Sequence, residues 1–126
     1  MTETGILNRE IAEMARTGHT DMIIIADAGL AVPNTTKVID LSLAPNLPTA
    51  LQVLDEVLKH FSVEKIIYSQ ATVDVSPTRE QEFLSRFDDC VEREVVPHPV
   101  LRDELTRKAK FVIRTGDFTA NSILVL

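Results

Sequence analysis

The sequence predicts an α/β fold: a single domain spanning residues 1–126, with a parallel or mixed sheet of about six strands covered by helices on both faces, a three-layer αβα arrangement. Three observations carry this. Short β-branched runs alternate with stretches whose apolar residues recur every three to four positions. The run Met22–Ala26 is apolar at every position, as suits a central strand buried on both sides. A chain of 126 residues is of ordinary size for one domain, and at that length folding buries roughly two thirds of the surface the unfolded chain exposes.

The elements follow in order. Asn8 is an N-cap for a first helix in which Ile11, Met14 and Ala15 share a face and which ends at Gly18. Strands are expected at Met22–Ala26 and Lys37–Leu41. Thr49 or Pro48 opens the clearest helix, with Leu51, Leu54, Leu58 and Phe61 at helical spacing. A third strand is expected at Val63–Tyr68. Ser76-Pro77 begins another helix, where Pro suits the first helical position and Phe83, Leu84 and Phe87 form the apolar stripe. Arg93–Val96, a helix near Leu101–Ala109, then Phe111–Arg114 and Ser122–Leu126 complete the pattern. The chain contains no linker, internal repeat or low-complexity segment.

Composition narrows the function. Nineteen acids against thirteen bases leave a net charge of −6, which disfavours nucleic acid and anionic membrane surfaces, since both are bound through clustered Lys and Arg. No apolar run approaches the ~20 residues that span a bilayer, and Met1-Thr2-Glu3-Thr4 does not begin a secretory signal. The lone Cys90 forms no internal disulfide, so a cytoplasmic location is expected. Cys90 also lacks a neighbour that would activate it as a nucleophile, and an inert or buried thiol is expected. With four glycines, none suitably spaced, there is no phosphate-binding loop. A neutral small molecule or another protein is the expected partner.

Three clusters carry candidate chemistry. His19 and Asp21 precede the first strand and Asp27 follows it, leading into Ala28-Gly29-Leu30, where a loop frames the crevice at a strand's carboxyl end. On the residues alone, His19 as a helix cap and Asp21 as a solvated turn residue is the favoured reading; an acid–base pair is the alternative. His98 lies between Pro97 and Pro99, which stiffen the backbone on both sides and present the imidazole from a loop; an ordinary exposed turn accounts for it equally well. His60, beside Lys59 on the polar side of its helix, reads as a surface residue. The third cluster is Arg114-Thr115-Gly116-Asp117 with Thr119-Ala120-Asn121, where Asn121 offers a donor and an acceptor suited to hydroxyl groups or closes an Asx turn. His19, Asp21, Asp27 and His98 have no spacing specific to a metal, and none is expected.

These blocks together resemble the D-ribose pyranase family. The similarity is carried by Leu7-Asn8, Gly18-His19-Thr20-Asp21, Asp27-Ala28-Gly29-Leu30, Pro33, Asp40-Leu41, Pro48 and Gln52-Val53-Leu54, fades through Tyr68–Glu94, and returns at Val112–Asp117 and Ala120-Asn121. Thr20 and Gly29-Leu30 favour this branch over the L-fucose mutarotases, which would read Gly-His-Gly-Asp and Asp-Ala-Asn-Phe-Pro. The resemblance implies a ribose pyranase-like fold and interconversion of the pyranose and furanose forms of a free aldose without a cofactor. It implies His19 as general acid, with Asp27, His98, Thr119, Ala120 and Asn121 holding the monosaccharide; Asp21 is read as orienting His19. It further implies self-association into a homopentamer or homodecamer, with sites formed between neighbouring subunits.

The chain departs from that family in two places. Its last motif, Phe118-Thr119-Ala120-Asn121, differs from the family's Pro-Tyr-Ala-Asn pattern and lacks the Tyr. After the middle strand, Ser69-Gln70-Ala71 stands where the family tends to carry acids. The alternatives to a ribose pyranase are therefore a noncatalytic ring-forming sugar-binding relative and a mutarotase for another aldose such as fucose.

Overall fold

The structure, a computed structural model, describes residues 22–59, 63–119 and 121–126. The helix expected after Asn8 lies outside them, as do His19, Asp21, His60, Phe61 and Ala120. Six strands form one sheet: β1 (Ile23–Ala26), β2 (Lys37–Asp40), β3 (Lys65–Ser69), β4 (Glu92–Val96), β5 (Phe111–Arg114) and β6 (Leu124–Val125), in the order β2-β5-β1-β6-β3-β4. β1, β2 and β5 run parallel to one another, as do β3 and β4. β6 runs antiparallel between β1 and β3, joining the two groups. The sheet is therefore mixed, and every strand except β6 ends at the same edge.

The two-residue alternation of side chains divides the core. Ile23 and Ile25 of β1 join Ile39, Phe111, Ile113, Ile66 and Tyr68 on one face. Ile24 and Ala26 join Val112, Ile123 and Val125 on the other. Burying a side chain such as Ile24 or Ile25, each fully enclosed, contributes about 1.5–3 kcal/mol. β1 is thus buried on both faces, as its unbroken apolar run predicts.

The first face is covered by α1 (Ala50–Val57) and α3 (Pro77–Leu84). Thr49 caps α1 through a capping box: its hydroxyl accepts the Gln52 N–H at 3.2 Å, and its own N–H donates to the Gln52 side-chain oxygen at 2.8 Å. The buried stripe is Ala50, Val53, Leu54 and Val57. Leu51 and Leu58, expected at its centre, flank it instead, half-buried. α3 has Pro77 at its first position and buries Phe83, with Leu84 and Phe87 packed beside it. Between β3 and α3 runs a helix that the sequence pattern did not reveal, α2 (Gln70–Val75), capped by the Ser69 hydroxyl, which accepts the Thr72 N–H at 3.2 Å.

Among the described residues the opposite face is covered by one helical stretch: α4 (His98–Val100), a π-helical turn (Leu101–Leu105) and α5 (Thr106–Lys108), with Leu101 and Leu105 turned into the core. It begins three residues before the expected start at Leu101. His98 is therefore its first residue rather than part of a loop, with Pro99 in the first turn, where a missing N–H costs nothing.

Gly116 meets a close approach of backbone. A Cβ there would lie 2.6 Å from the Ala44 carbonyl oxygen and 2.7 Å from that of Leu47, and the Gly116 N–H donates to the Pro48 carbonyl at 2.9 Å. The clash is with main chain, which cannot swing aside. Gly116→Ala is expected to lower stability by about 1–3 kcal/mol, read as a lower denaturant midpoint; an unchanged midpoint would refute this packing.

Candidate functional site

The shared strand edge gathers the loops that follow β1, β2 and β5. Thr115 continues β5 past its last residue and donates both its N–H, at 3.0 Å, and its hydroxyl, at 2.7 Å, to the Ala26 carbonyl. The Ala28 N–H then donates to the Asp117 carbonyl at 2.9 Å, and Arg114 Nη1 donates to the Ala28 carbonyl at 3.1 Å. From the β2 side, the Asn46 N–H donates to the Gly116 carbonyl at 2.6 Å, and the Asn46 side-chain oxygen accepts the Phe118 N–H at 2.9 Å. Asn46 has φ 59°, a left-handed conformation that Asn tolerates better than most residues.

These contacts frame an open depression of about 410 Å³ lined by Asp27, Ala28, Gly29, Asp117, Phe118 and Thr119. Its floor holds two buried carboxyl groups with opposite tendencies. Asp27, directly after β1, is 9% exposed. Burial pushes its carboxyl above the ordinary value, and the nearby Asp117 charge adds to that; the N–H groups of Gly29, Asn121 and Leu30 oppose it. The Gly29 N–H reaches Asp27 Oδ1 at 3.1 Å.

Asp117 is 1% exposed. Burial would push its carboxyl up too, but the Ala50 and Thr119 N–H groups and the Arg79 guanidinium outweigh it and hold the group below the ordinary value. Asp117 Oδ1 accepts the Thr119 N–H at 2.8 Å. Its Oδ2 accepts the Ala50 N–H at 2.9 Å, Arg79 Nη1 at 2.5 Å and the Ser122 hydroxyl at 3.3 Å. The Ala50 N–H belongs to the first turn of α1, where the helix's own free donors favour an anion.

The structure thus brings Asp27, Thr119 and Asn121 to one edge. Asn121 has φ 57°, and its carbonyl accepts the Thr72 hydroxyl at 2.7 Å. His98 stands apart. It follows β4 at the same edge, but β4 lies three strand intervals from β1, about 14 Å at the usual inter-strand spacing. Its Nδ1 is buried without a hydrogen-bond partner. Cys90 is exposed, which corrects the alternative of a buried thiol. Among the described residues no cluster of His, Cys, Asp and Glu could hold a metal ion, and no helix is long and apolar enough to cross a membrane.

Arg79 was absent from the sequence-based site, and Ser122 entered only as part of a strand. A signal for Arg79 does exist. It lies four residues before the buried Phe83, on the inward face of α3, where a charged side chain needs a buried partner.

The RbsD / FucU transport protein family profile matches residues 1–126. The D-ribose pyranase of Streptococcus agalactiae serotype Ia is 40% identical over 127 aligned residues, covering 100% of this chain and 96% of that protein. The D-ribose pyranase of Limosilactobacillus fermentum is 39% identical, covering 100% and 95%. The structure of Bacillus subtilis RbsD complexed with D-ribose matches with a TM-score of 0.92 at 38% identity, covering 100% of this chain and 95% of that one. The Streptococcus pneumoniae fucose mutarotase in complex with L-fucose matches with a TM-score of 0.68 at 16% identity, covering 95% and 91%, a likeness of fold alone.

The two carboxyl groups give opposite pH responses. Asp117, lowered in the folded state, contributes stability that is present above its unfolded value near 3.8 and lost as pH falls through its folded value. Asp27, raised, contributes stability that is present below 3.8 and lost as pH rises through its folded value. Asp117→Asn is therefore expected to cost roughly 3 kcal/mol at neutral pH, with the deficit shrinking in acid. Asp27→Asn is expected to raise the thermal midpoint at neutral pH. Thermal unfolding across the acid-to-neutral range checks both; equal shifts for the two variants at neutral pH would contradict the assignment.

Proposed function

The chain belongs to the RbsD / FucU transport protein family, and on that footing we propose that it is a D-ribose pyranase, an isomerase that interconverts the pyranose and furanose forms of free D-ribose. The observation that carries this is the 40% identity to a D-ribose pyranase across the whole chain. The Asp27–Asn121 edge described above suits that chemistry. The reading treats residues 1–126 as one ribose pyranase-like domain acting in the cytoplasm.

The reaction needs protons moved and no cofactor. As the pyranose opens, the hydroxyl on C1 loses its proton, the bond from C1 to the ring oxygen breaks and that oxygen gains a proton, leaving an open-chain aldehyde. Reclosure by a different hydroxyl, which loses its proton as it attacks C1 while the aldehyde oxygen gains one and becomes the C1 hydroxyl, gives the furanose. His19 is the general acid in this reading, because an imidazole with a reference pKa near 6.5 gives and takes a proton around neutrality. Asp21 orients it. Asp27, Thr119, Ala120, Asn121 and His98 hold the sugar, and an uncharged ligand is compatible with the net charge of −6.

We further propose assembly into a homopentamer or homodecamer in which neighbouring copies complete each site. Two features support this. His98 stands about three strand spacings from the depression of its own chain. Beside that depression Leu43, Leu47 and Phe118 expose 80, 46 and 65% of their surface, an apolar grouping of the kind that marks a contact surface.

Exchange NMR on free ribose tests the activity: the protein should accelerate pyranose–furanose exchange, and His19→Ala should lose roughly a hundredfold or more. No acceleration for any aldose in a panel would sink the enzyme, while a fully active His19→Ala would refute only that residue's role. One observation favours a second reading, a noncatalytic sugar-binding ring: the Thr119 hydroxyl is engaged by Arg79, so it does not replace the hydroxyl of the missing Tyr. Calorimetric binding of ribose without exchange would favour that reading. Light scattering should give a mass five or ten times that of one chain; a monomer would refute the assembly.

A further inference from the structure

Arg79 reaches from α3 into the segment that leads from β5 to β6. Its side chain is 12% exposed and that of Asp117 is 0% exposed. Nη1 donates to Asp117 Oδ2 at 2.5 Å and to the Ser122 hydroxyl at 3.1 Å, and Nη2 donates to the Thr119 hydroxyl at 3.2 Å. Nε lies 3.3 Å from Glu82 Oε1 in a geometry that makes no hydrogen bond. One guanidinium thus holds three side chains on either side of the sugar-holding residues Ala120 and Asn121. Only a planar fork with several fixed donors does this; an ammonium does not.

The Thr119 hydroxyl is consumed by the same group. It accepts from Arg79 Nη2 at 3.2 Å, so one acceptor position is turned inward. The segment has a second anchor on α2, where the Thr72 hydroxyl holds the Asn121 carbonyl with Asn121 in the left-handed region. Replacing a buried ion pair by apolar side chains often costs little stability. A cation buried here is therefore better explained by what it positions than by what it stabilises.

We propose that Arg79 is a positioning residue: it sets the conformation of the segment through which the site holds its sugar, and the Thr119 side chain acts through Arg79 rather than on the sugar. The proposal rests on the pyranase reading for its substrate, but its structural half is testable without one.

The variants are Arg79→Met, which keeps the apolar stem, Arg79→Lys, which keeps the charge without the fork, and Thr119→Val, alone and combined with Arg79→Met. In exchange NMR with D-ribose, Arg79→Met should raise KM roughly ten- to hundredfold, the loss expected for charged hydrogen bonds, while kcat stays within about threefold because His19 is untouched. Arg79→Lys should recover part of the loss. Thr119→Val should raise KM on its own and add nothing in the Arg79→Met background. In the ligand-free protein, hydrogen exchange at the Thr119 amide, which is bonded to Asp117, should speed up in Arg79→Met by at least tenfold.

A folded Arg79→Met with wild-type KM and wild-type Thr119 protection would overturn the proposal. Additive effects of Arg79→Met and Thr119→Val would overturn the role given to Thr119. If the wild-type protein accelerates no exchange, the pyranase reading fails, and the amide measurement still decides the positioning. If Arg79→Met does not fold, Arg79→Lys and Thr119→Val are read by the same two measurements.

Discussion

The arrangement of the site depends on one buried carboxylate. Asp117 leaves β5 at the sheet edge and takes donors from the first turn of α1, from Arg79 on α3 and from Thr119 and Ser122 on its own segment. Two helices and the β5–β6 connection are thereby referred to a single point. An ionised carboxylate accepts up to four hydrogen bonds, and here each comes from an element that must be in place for the site to exist. The packing of Ala50, Val53 and Leu54 on the sheet presents the Ala50 N–H, and that of Phe83 holds α3 within reach. The hydrophobic core therefore fixes the electrostatics of the edge, and loosening α1 or α3 would be felt at the depression.

The same carboxylate shapes the group beside it. Asp27 is pushed up by its own burial, and the Asp117 charge reinforces the shift. Asp117 is held down because its donors outweigh a similar burial. Two acids of one type, close in space, are thus separated in character by their burial, their hydrogen-bond donors and the charges beside them. Separated pairs of titratable groups occur often at functional sites. Here the satisfied member is structural and the less satisfied member lines the open side. The site accepts an unfavourable Asp27 in exchange for a carboxyl that is not saturated by internal partners.

Much of the fold was legible because its signals are local. The apolar run of Met22–Ala26, the cap Thr49 and Pro77 at a helix start act through neighbouring atoms, and each expected element within the described residues appeared within a few residues of its place. What was illegible depends on tertiary partners. α2 is short, and Thr72, Val73 and Val75 favour strands by propensity; its cap at Ser69 and the Thr72 bond to Asn121 hold it helical. β6 is shorter than the expected Ser122–Leu126, although Leu126 still exchanges main-chain hydrogen bonds with Ile23. His98 was read as a loop residue because two prolines flank it, although a proline in the first turn is also a helix-start signal.

The candidate site divides along the same line. Asp27 was legible because a carboxylate directly after a buried strand stands at the edge where α/β proteins bind ligands. Asn121 was a candidate by residue type, with an Asx turn as the equal alternative, whereas Thr119 entered through the resemblance, which did not say which way its hydroxyl turns. That direction is set by Arg79, forty residues away in sequence, and no spacing rule relates them. A segment with an internal cation behind it is a different physical solution from one in which an aromatic side chain walls a pocket. In the first, the conformation of the segment comes from a hydrogen-bonded fork beneath it; in the second, from the bulk of a side chain within it. The depression is open beside Phe118, which is exposed together with Leu43 and Leu47.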